Sequence, residues 1–391
     1  MLSAQTKALI KATVPALETV NETLTSHFYK LMFSEYPEVR ALFNQTHQQS
    51  GDQPRALANS VIAYAKHIDQ LEALGPAVSL IVQKHASLNV LPEHYPIVGS
   101  CLLRAIKEVL GAAATDEIID AWGQAYQQLA EILIQAEEGV YAEHEQAKGG
   151  WRGIRQLKVV RKVKESIEIT SFYLEAADGR PLLESTPGQY IALRFVLDGQ
   201  EMRRNYSLSD LSNGDHYRIS VKREPGGVIS CHLHDKVAEG DMLEAFPPCG
   251  DFVLHPGQKP LVLVSGGVGL TPTVAMLNAA VDSGRPIHFL HCARNQAVHA
   301  FRDHVDALAA KHPNVQKTYV YDQPDPGDKA DATGMINEAL LARTLPANRD
   351  AEVYFLGPKP FMAQVKRLLA KLGVPERQTH FEFFGPLQTL E

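Results

Sequence analysis

The sequence predicts a multidomain fold in three successive parts: an all-α region, an antiparallel β-barrel or sandwich, and an α/β region on a parallel sheet. Three observations carry this. From Ser3 to about Gln146 apolar residues recur at helical spacing, with breaks at Pro37, Gly51 to Pro54, Gly75-Pro76, Pro92 and Gly111. After AKGGW the period shortens to two, as in HYRISVKRE, where Tyr217, Ile219 and Val221 share a face, and turn pairs stand at Asp178-Gly179, Asp198-Gly199 and Asn213-Gly214. From Lys259 onward the buried-strand runs LVLV, IHFLH and EVYFL alternate with the helical patterns TPTVAMLNAAV, HAFRDHVDALAAKH and PFMAQVKRLLAKL. The expected boundaries are 1–147, 152–257 and 258–391.

A chain of 391 residues exceeds one ordinary core, which agrees with several domains. Lys plus Arg (38) against Asp plus Glu (45) gives a net charge of −7 with no basic block, which argues against a nucleic-acid or anionic-membrane partner. Cys101, Cys231, Cys249 and Cys292 are scattered without metal-ligand spacing, as free thiols in a reducing compartment would be. Lys7, Lys11, Glu18 and Glu22 interrupt the first thirty residues, and nowhere do eighteen apolar residues run together. A soluble cytoplasmic protein acting on small molecules is expected, with no integral membrane segment and no obligatory protein partner.

On the helix opened by Pro76, the residues Val78, Ile81, Val82, His85 and Leu88 fall three or four apart, so the imidazole points inward with aliphatic neighbours. Such a histidine is either a core residue bonded to a carbonyl or a ligand. Ile134, Glu137, Val140 and Tyr141 likewise put a carboxylate on or at the edge of an apolar stripe. If Glu137 is inside it needs a donor, which Tyr95 or His85 can supply. A carboxylate holding one imidazole nitrogen makes the other more basic, as groups behind a metal ligand do.

The segments HFYKLMFSEYPEVRALF, GDQPRAL, KHASLNVLPEHYPIVG and DAWGQAYQQLAEILIQAEE resemble the globin domain of bacterial flavohaemoglobins. The resemblance implies that His85 ligates haem b iron, that Tyr95 and Glu137 form its hydrogen-bonded relay, and that Lys84 lies beside them towards a flavin. On the other haem face it implies Tyr29, Gln53 and Leu57, with Phe43 wedging the haem. On their own, Tyr29 and Phe43 also fit ordinary aromatic packing. A phenol over the iron has a use, because bound dioxygen gains charge that a hydrogen-bond donor stabilises.

RRNYSLSD, with PGQY before it and KREPGGVIS after it, resembles the flavin domain of the ferredoxin-reductase family. Arginine's planar fork suits a diphosphate, and Gly226-Gly227 would let backbone amides approach one. By this resemblance Tyr190, Arg204, Asn205, Tyr206 and Ser207 bind FAD, and Phe383, Phe384, Gly385 and Pro386 close over it. Glu382, just before them, corresponds to a residue near the flavin; otherwise it is an exposed acid near the chain end.

LVLVSGGVGLTP is a buried strand running into a glycine turn and a helix, an arrangement that turns free backbone N–H groups towards an anion, although the spacing departs from GxGxxG. It resembles the pyridine-nucleotide lobe of ferredoxin reductases, which implies that Gly266, Gly267, Val268, Gly269, Leu270, Thr271 and Pro272 carry the pyrophosphate of NADH or NADPH. Leu356 stands where many relatives have cysteine. Arg294, past the strand IHFLHCA, is either a 2′-phosphate contact favouring NADPH or a surface arginine.

A hydride donor, a flavin and a haem in one chain imply a nitric oxide dioxygenase. In that reaction nitric oxide reacts with dioxygen on ferrous haem to give nitrate, and the ferric iron is re-reduced by NAD(P)H through FAD. The alternatives are an NAD(P)H oxidase or peroxide reductase using the same haem, and an oxygen-binding or sensing globin, against which the reductase half argues.

Overall fold

The hydroxyl of Ser3 accepts the Thr6 N–H at 3.0 Å and caps the first helix. That helix, α1 (Ala4–Glu35), carries Pro15 in its interior and stops at Tyr36. Pro37 then opens a 3-10 turn ending at Leu42, where its missing N–H costs nothing. The structure, a computed structural model, describes residues 2–43 and 52–385, with the side chains of residues 52–54 and 56 outside the description. The helices α2 (Asp52–Lys66), α3 (Gly75–Ser87), α4 (His94–Leu110) and α5 (Asp116–Gln146) complete the helical region. Pro54 lies within the first turn of α2, so the helix begins inside the stretch that the sequence marks as a break. The apolar faces meet in one core, where Ile10, Leu17, Met32, Ile106 and Trp122 are fully buried. In this core Trp122 Nε1 donates to Thr13 Oγ1 at 3.0 Å, and the Tyr64 hydroxyl to the Ala125 carbonyl at 2.9 Å.

The next region is a six-stranded antiparallel sheet: β1 (Arg155–Lys164), β2 (Ile169–Ala176), β3 (Tyr190–Leu197), β4 (Gln200–Ser207), β5 (His216–Lys222) and β6 (Met242–Ala245), in the order β4-β3-β6-β1-β2-β5. Its outer strands meet, because Leu208, just past β4, bridges Ile219 of β5. The sheet therefore closes as a barrel rather than splitting into a sandwich. Asp198 (φ 50°) and Gly199 (φ 74°) join β3 to β4 with both residues left-handed, as a two-residue hairpin turn requires. A short helix, α6 (Val228–Asp235), follows β5.

The last region is a parallel sheet of β7 (Leu261–Gly266), β8 (Ile287–Ala293), β9 (Val315–Tyr321), β10 (Ala332–Thr333), β11 (Glu352–Leu356) and β12 (Thr379–Phe381), in the order β10-β9-β8-β7-β11-β12. Its helices are α7 (Leu270–Ala280), α8 (Arg302–Lys311), α9 (Glu338–Thr344) and α10 (Lys359–Lys371). Leu261, Leu263, Ile287 and Phe289 pack on one side with Val274 and Leu277 of α7 and Val305 of α8. Val262, Val264, Leu290, Val353 and Phe355 pack on the other with Leu341 of α9 and Met362 and Val365 of α10. Burial on both faces explains why these strands read as continuous apolar runs. The order reverses between β7 and β11, and such a reversal opens a crevice at the strand ends.

Four elements here, β9, β10, β12 and α9, are absent from the sequence reading. The pattern HAFRDHV is also not all helix: Phe301 sits at φ 59° and α8 starts only at Arg302. The chain divides into two compact units, the helical region with residues 194–204, and the barrel with the parallel sheet. Among the described residues no helix is long and apolar enough to cross a membrane.

Candidate functional site

In the helical region α3 delivers His85, the turn of α4 delivers Tyr95, and α5 delivers Glu137. Glu137 is 2% exposed. Its Oε1 accepts from the Tyr95 hydroxyl at 2.6 Å and lies 2.7 Å from His85 Nδ1. The Tyr95 hydroxyl is 3.2 Å from the same ring nitrogen. Burial, and then the bond to Glu137, push the Tyr95 phenol well above its ordinary range, so it stays protonated and donates. Among the described residues both hydrogen-bond partners of the imidazole face Nδ1, which would leave Nε2 for an axial bond. The imidazole is 34% exposed although its carboxylate partner is buried. A partly exposed imidazole held at one nitrogen fits a haem ligand, and the helical core carries partly buried apolar residues, among them Leu57, Val61, Ile81 and Val98.

Tyr126, and the supporting role of Tyr141 on the Glu137 stripe, are not evident from the sequence. The Tyr126 hydroxyl donates to the Tyr95 carbonyl at 2.6 Å, and the Tyr141 hydroxyl to the Val90 carbonyl at 2.7 Å, just past the turn where Val90 N–H bonds the His85 carbonyl. A signal for Tyr126 existed in Gly99: a Cβ there would lie 2.5 Å from the Tyr126 ring, so the facing helix is notched to admit it.

Tyr29 is 6% exposed and packs edge-on against Phe43 with ring centroids 5.6 Å apart. Leu57 is partly buried against the same core, and Lys84 is half-buried on α3. The side chain of Gln53 lies outside the described residues, as does Pro386.

In the barrel Tyr190 is 3% exposed and opens β3, bonded through its backbone to Cys249 at 2.9 Å in both directions. Its ring leaves no room for a side chain at Gly250, where a Cβ would fall 2.8 Å from it. Along β4 Arg204 and Tyr206 are half-buried on one face, Asn205 is exposed and Ser207 is buried. Gly226 takes φ 74° and Gly227 begins α6 with no side-chain cap, so the N–H groups of the first turn are available to an anion. These glycines would let backbone N–H groups approach a flavin diphosphate. Glu382 (8% exposed) and Phe383 (9%) are buried just past β12, which overturns the exposed-acid alternative, while Phe384 is exposed.

In the parallel sheet Gly266 ends β7, Gly267 (φ 55°) and Val268 form a 3-10 turn, and Gly269 begins α7 uncapped by any side chain. A Cβ on Gly269 would meet the Leu356 carbonyl oxygen at 2.4 Å, so the helix start touches the end of β11. Leu270, Thr271 and Pro272 are buried in the first turn of α7, and the Thr271 hydroxyl donates to the Val268 carbonyl at 3.1 Å. The turn thus stands at the order reversal, where a dinucleotide pyrophosphate fits. Burial pushes the Cys292 thiol, opposite Gly266, up to about 12. Arg294 does not stand alone at the surface: it is paired with Glu168.

Family models match three segments, described as globin (residues 26–133), oxidoreductase FAD-binding domain (156–254) and oxidoreductase NAD-binding domain (263–367). The chain is 63% identical over 392 residues to a flavohemoprotein of Pseudomonas aeruginosa and 64% identical over 393 residues to one of Burkholderia sp., with the whole of each chain covered. The crystal structure of a flavohemoglobin from Malassezia yamatoensis with bound FAD and heme matches with a TM-score of 0.87 at 27% identity, covering 98% of this chain and 100% of that one. The FAD/NAD-binding domain of a nitric oxide dioxygenase from Vibrio cholerae matches with a TM-score of 0.56 at 34% identity, covering 60% of this chain and 100% of that one. With a helical region built around His85, a closed barrel and a doubly wound sheet in the same order, the chain belongs to the flavohemoprotein family.

Proposed function

We propose that the protein is a nitric oxide dioxygenase, with residues 1–147 holding haem, 152–257 FAD and 258–391 NAD(P)H. The balanced reaction takes two nitric oxide, two dioxygen and one NAD(P)H to two nitrate, NAD(P)⁺ and a proton. When bound, haem supplies dioxygen binding and one-electron chemistry, FAD divides a hydride pair into single electrons, and the nicotinamide supplies the hydride.

The chain's own residues have separable tasks in this reading. Glu137 accepts the His85 Nδ1–H, which fixes the tautomer with Nε2 free and makes that nitrogen a stronger donor. Tyr95 shares the same carboxylate oxygen and keeps its proton, so the pair holds the ring without moving charge. Tyr29 would donate a hydrogen bond to a haem-bound ligand, and the family resemblance assigns Gln53 and Leu57 to the same pocket and Phe43 to its wall. By the family resemblance Lys84 and Glu382 would serve electron transfer at the flavin. Tyr190, Arg204, Asn205, Tyr206 and Ser207 would bind FAD, joined by Phe383, Phe384, Gly385 and Pro386 by the family resemblance, and the residues from Gly266 to Pro272 would hold the pyrophosphate. The observation that carries the reading is the buried Glu137 behind His85: a plain oxygen store has no need to pay for a buried carboxylate there, whereas iron that is reduced repeatedly gains from a tuned ligand. The test is consumption of nitric oxide in air with nitrate as the product.

A further inference from the structure

The strand β8 ends at Ala293, and Arg294 is the first residue past it. In doubly wound sheets this is where the ribose 2′ oxygen of a bound nucleotide falls. An arginine there would suit a 2′-phosphate, which its planar fork grips twice. Here the guanidinium is already engaged, because its Nη2 pairs with Oε2 of Glu168, a side chain that is only 19% exposed.

The carboxylate is delivered by the backbone of the β1–β2 turn. Ser166 Oγ accepts the N–H groups of Glu168 at 3.3 Å and Ile169 at 3.1 Å. The Glu168 carbonyl accepts the Arg223 N–H at 2.8 Å, and the Ile167 N–H donates to the Ala297 carbonyl at 3.1 Å, on the same loop as Arg294. The neighbouring segments that fix the Arg294 backbone also carry acidic residues. Asp322 N–H donates to the Ala293 carbonyl at 3.2 Å and Gln323 N–H to the Arg294 carbonyl at 2.8 Å, while Asp328 Oδ2 accepts the Gln296 N–H at 2.9 Å. A dianionic phosphate would have to displace the Glu168 carboxylate from Arg294. A 2′-hydroxyl need not.

We propose that Glu168 is a specificity-determining residue: by occupying Arg294 it excludes a 2′-phosphate and makes NADH, not NADPH, the electron donor. The inference rests on the reading of the C-terminal lobe as the nicotinamide-nucleotide module. It accounts for an arginine at the 2′ position without assigning it to NADPH.

The test uses the full-length holoenzyme without oxygen, following flavin reduction by NADH and by NADPH, together with calorimetric binding of 2′,5′-ADP and 5′-AMP. In the native protein NADH reduces the flavin with the higher second-order rate constant, and 2′,5′-ADP binds more weakly than 5′-AMP. In Glu168→Gln the freed guanidinium raises the NADPH rate constant and the 2′,5′-ADP affinity roughly tenfold, while the NADH constant moves by less than about twofold. In Glu168→Gln/Arg294→Ala both gains disappear. Equal use of the two donors by the native protein, an unchanged ratio in Glu168→Gln, or a gain that survives loss of Arg294 would overturn the proposal alone. Failure of both nucleotides to reduce the flavin would overturn the reading of the lobe and the proposal with it.

Discussion

Glu137 Oε1 lies 2.7 Å from His85 Nδ1, and the glutamate is 2% exposed while the imidazole it holds is 34% exposed. A charge in that position is tolerable only because both of its neighbours donate to it. Replacing Glu137 with Gln keeps the shape and removes the charge. A charge-assisted bond of about 1.5–3 kcal/mol, weighted towards the oxidised iron, corresponds to an upward shift of roughly 65–130 mV in the haem midpoint potential. Spectroelectrochemical titration of the variant checks this, and an unmoved potential removes Glu137 from the relay.

Tyr29→Phe deletes one donor and no packing, because the ring stays against Phe43. Loss of one hydrogen bond to dioxygen, about 1.4 kcal/mol, speeds oxygen release roughly tenfold. Stopped-flow displacement of oxygen measures it, and a native off-rate places Tyr29 outside the pocket.

Gly269→Ala puts a methyl group 2.4 Å from the Leu356 carbonyl oxygen, a backbone atom that cannot swing away. Relief of such overpacking costs about 1–3 kcal/mol and moves the start of α7. NADH-driven flavin reduction slows in this variant while haem spectra stay native. Native reduction rates would show that the turn does not hold the pyrophosphate.

The parallel sheet carries an acid liability. Burial lowers His291 from its ordinary 6.5 to about 3, and burial followed by His291, Arg302 and Lys317 holds His299 far below its usual range. The rings lie 4.4 Å apart and bond Ser265 and Tyr321 as neutral groups. Because the unfolded chain binds protons that the folded one refuses, the stability present above 6.5 is lost as pH falls towards 3. Each unit below the unfolded value costs about 1.4 kcal/mol per histidine. Urea midpoints for flavin release at about pH 7.5 and 5.5 read the slope. His291→Asn flattens it, and an equal slope in that variant counts against the buried neutral imidazole.

His85 and Glu137 were legible in the sequence because each breaks an apolar stripe at helical spacing, so the pattern itself asks for a partner. The buried strands β7, β8 and β11 were legible as apolar runs. β9 was not: Lys317 lies on it with its ammonium 4.6 Å from the Tyr319 ring centroid, and the Tyr319 hydroxyl reaches Asp306 at 2.7 Å, so tertiary pairing breaks the expected pattern. Phe301 fits a helical spacing yet is left-handed, an uncommon state for an aromatic residue, held here by burial and by the Arg218 guanidinium 4.7 Å from its ring centroid. Glu168 and Arg294 are 126 positions apart, and no local period connects them.

The proposed dioxygenase carries electrons within one chain from a nicotinamide to a haem that turns nitric oxide into nitrate. NADH loss, nitric oxide loss and nitrate gain, recorded together in air-saturated buffer at limiting nitric oxide and corrected for NADH oxidation without it, test that claim directly. Both oxygen atoms end in the nitrate and each turnover needs one electron, so two nitrate should appear, and two nitric oxide disappear, for each NADH. A nitrate-to-NADH ratio far below two, or nitrite or nitrous oxide as the main product in air, would contradict it.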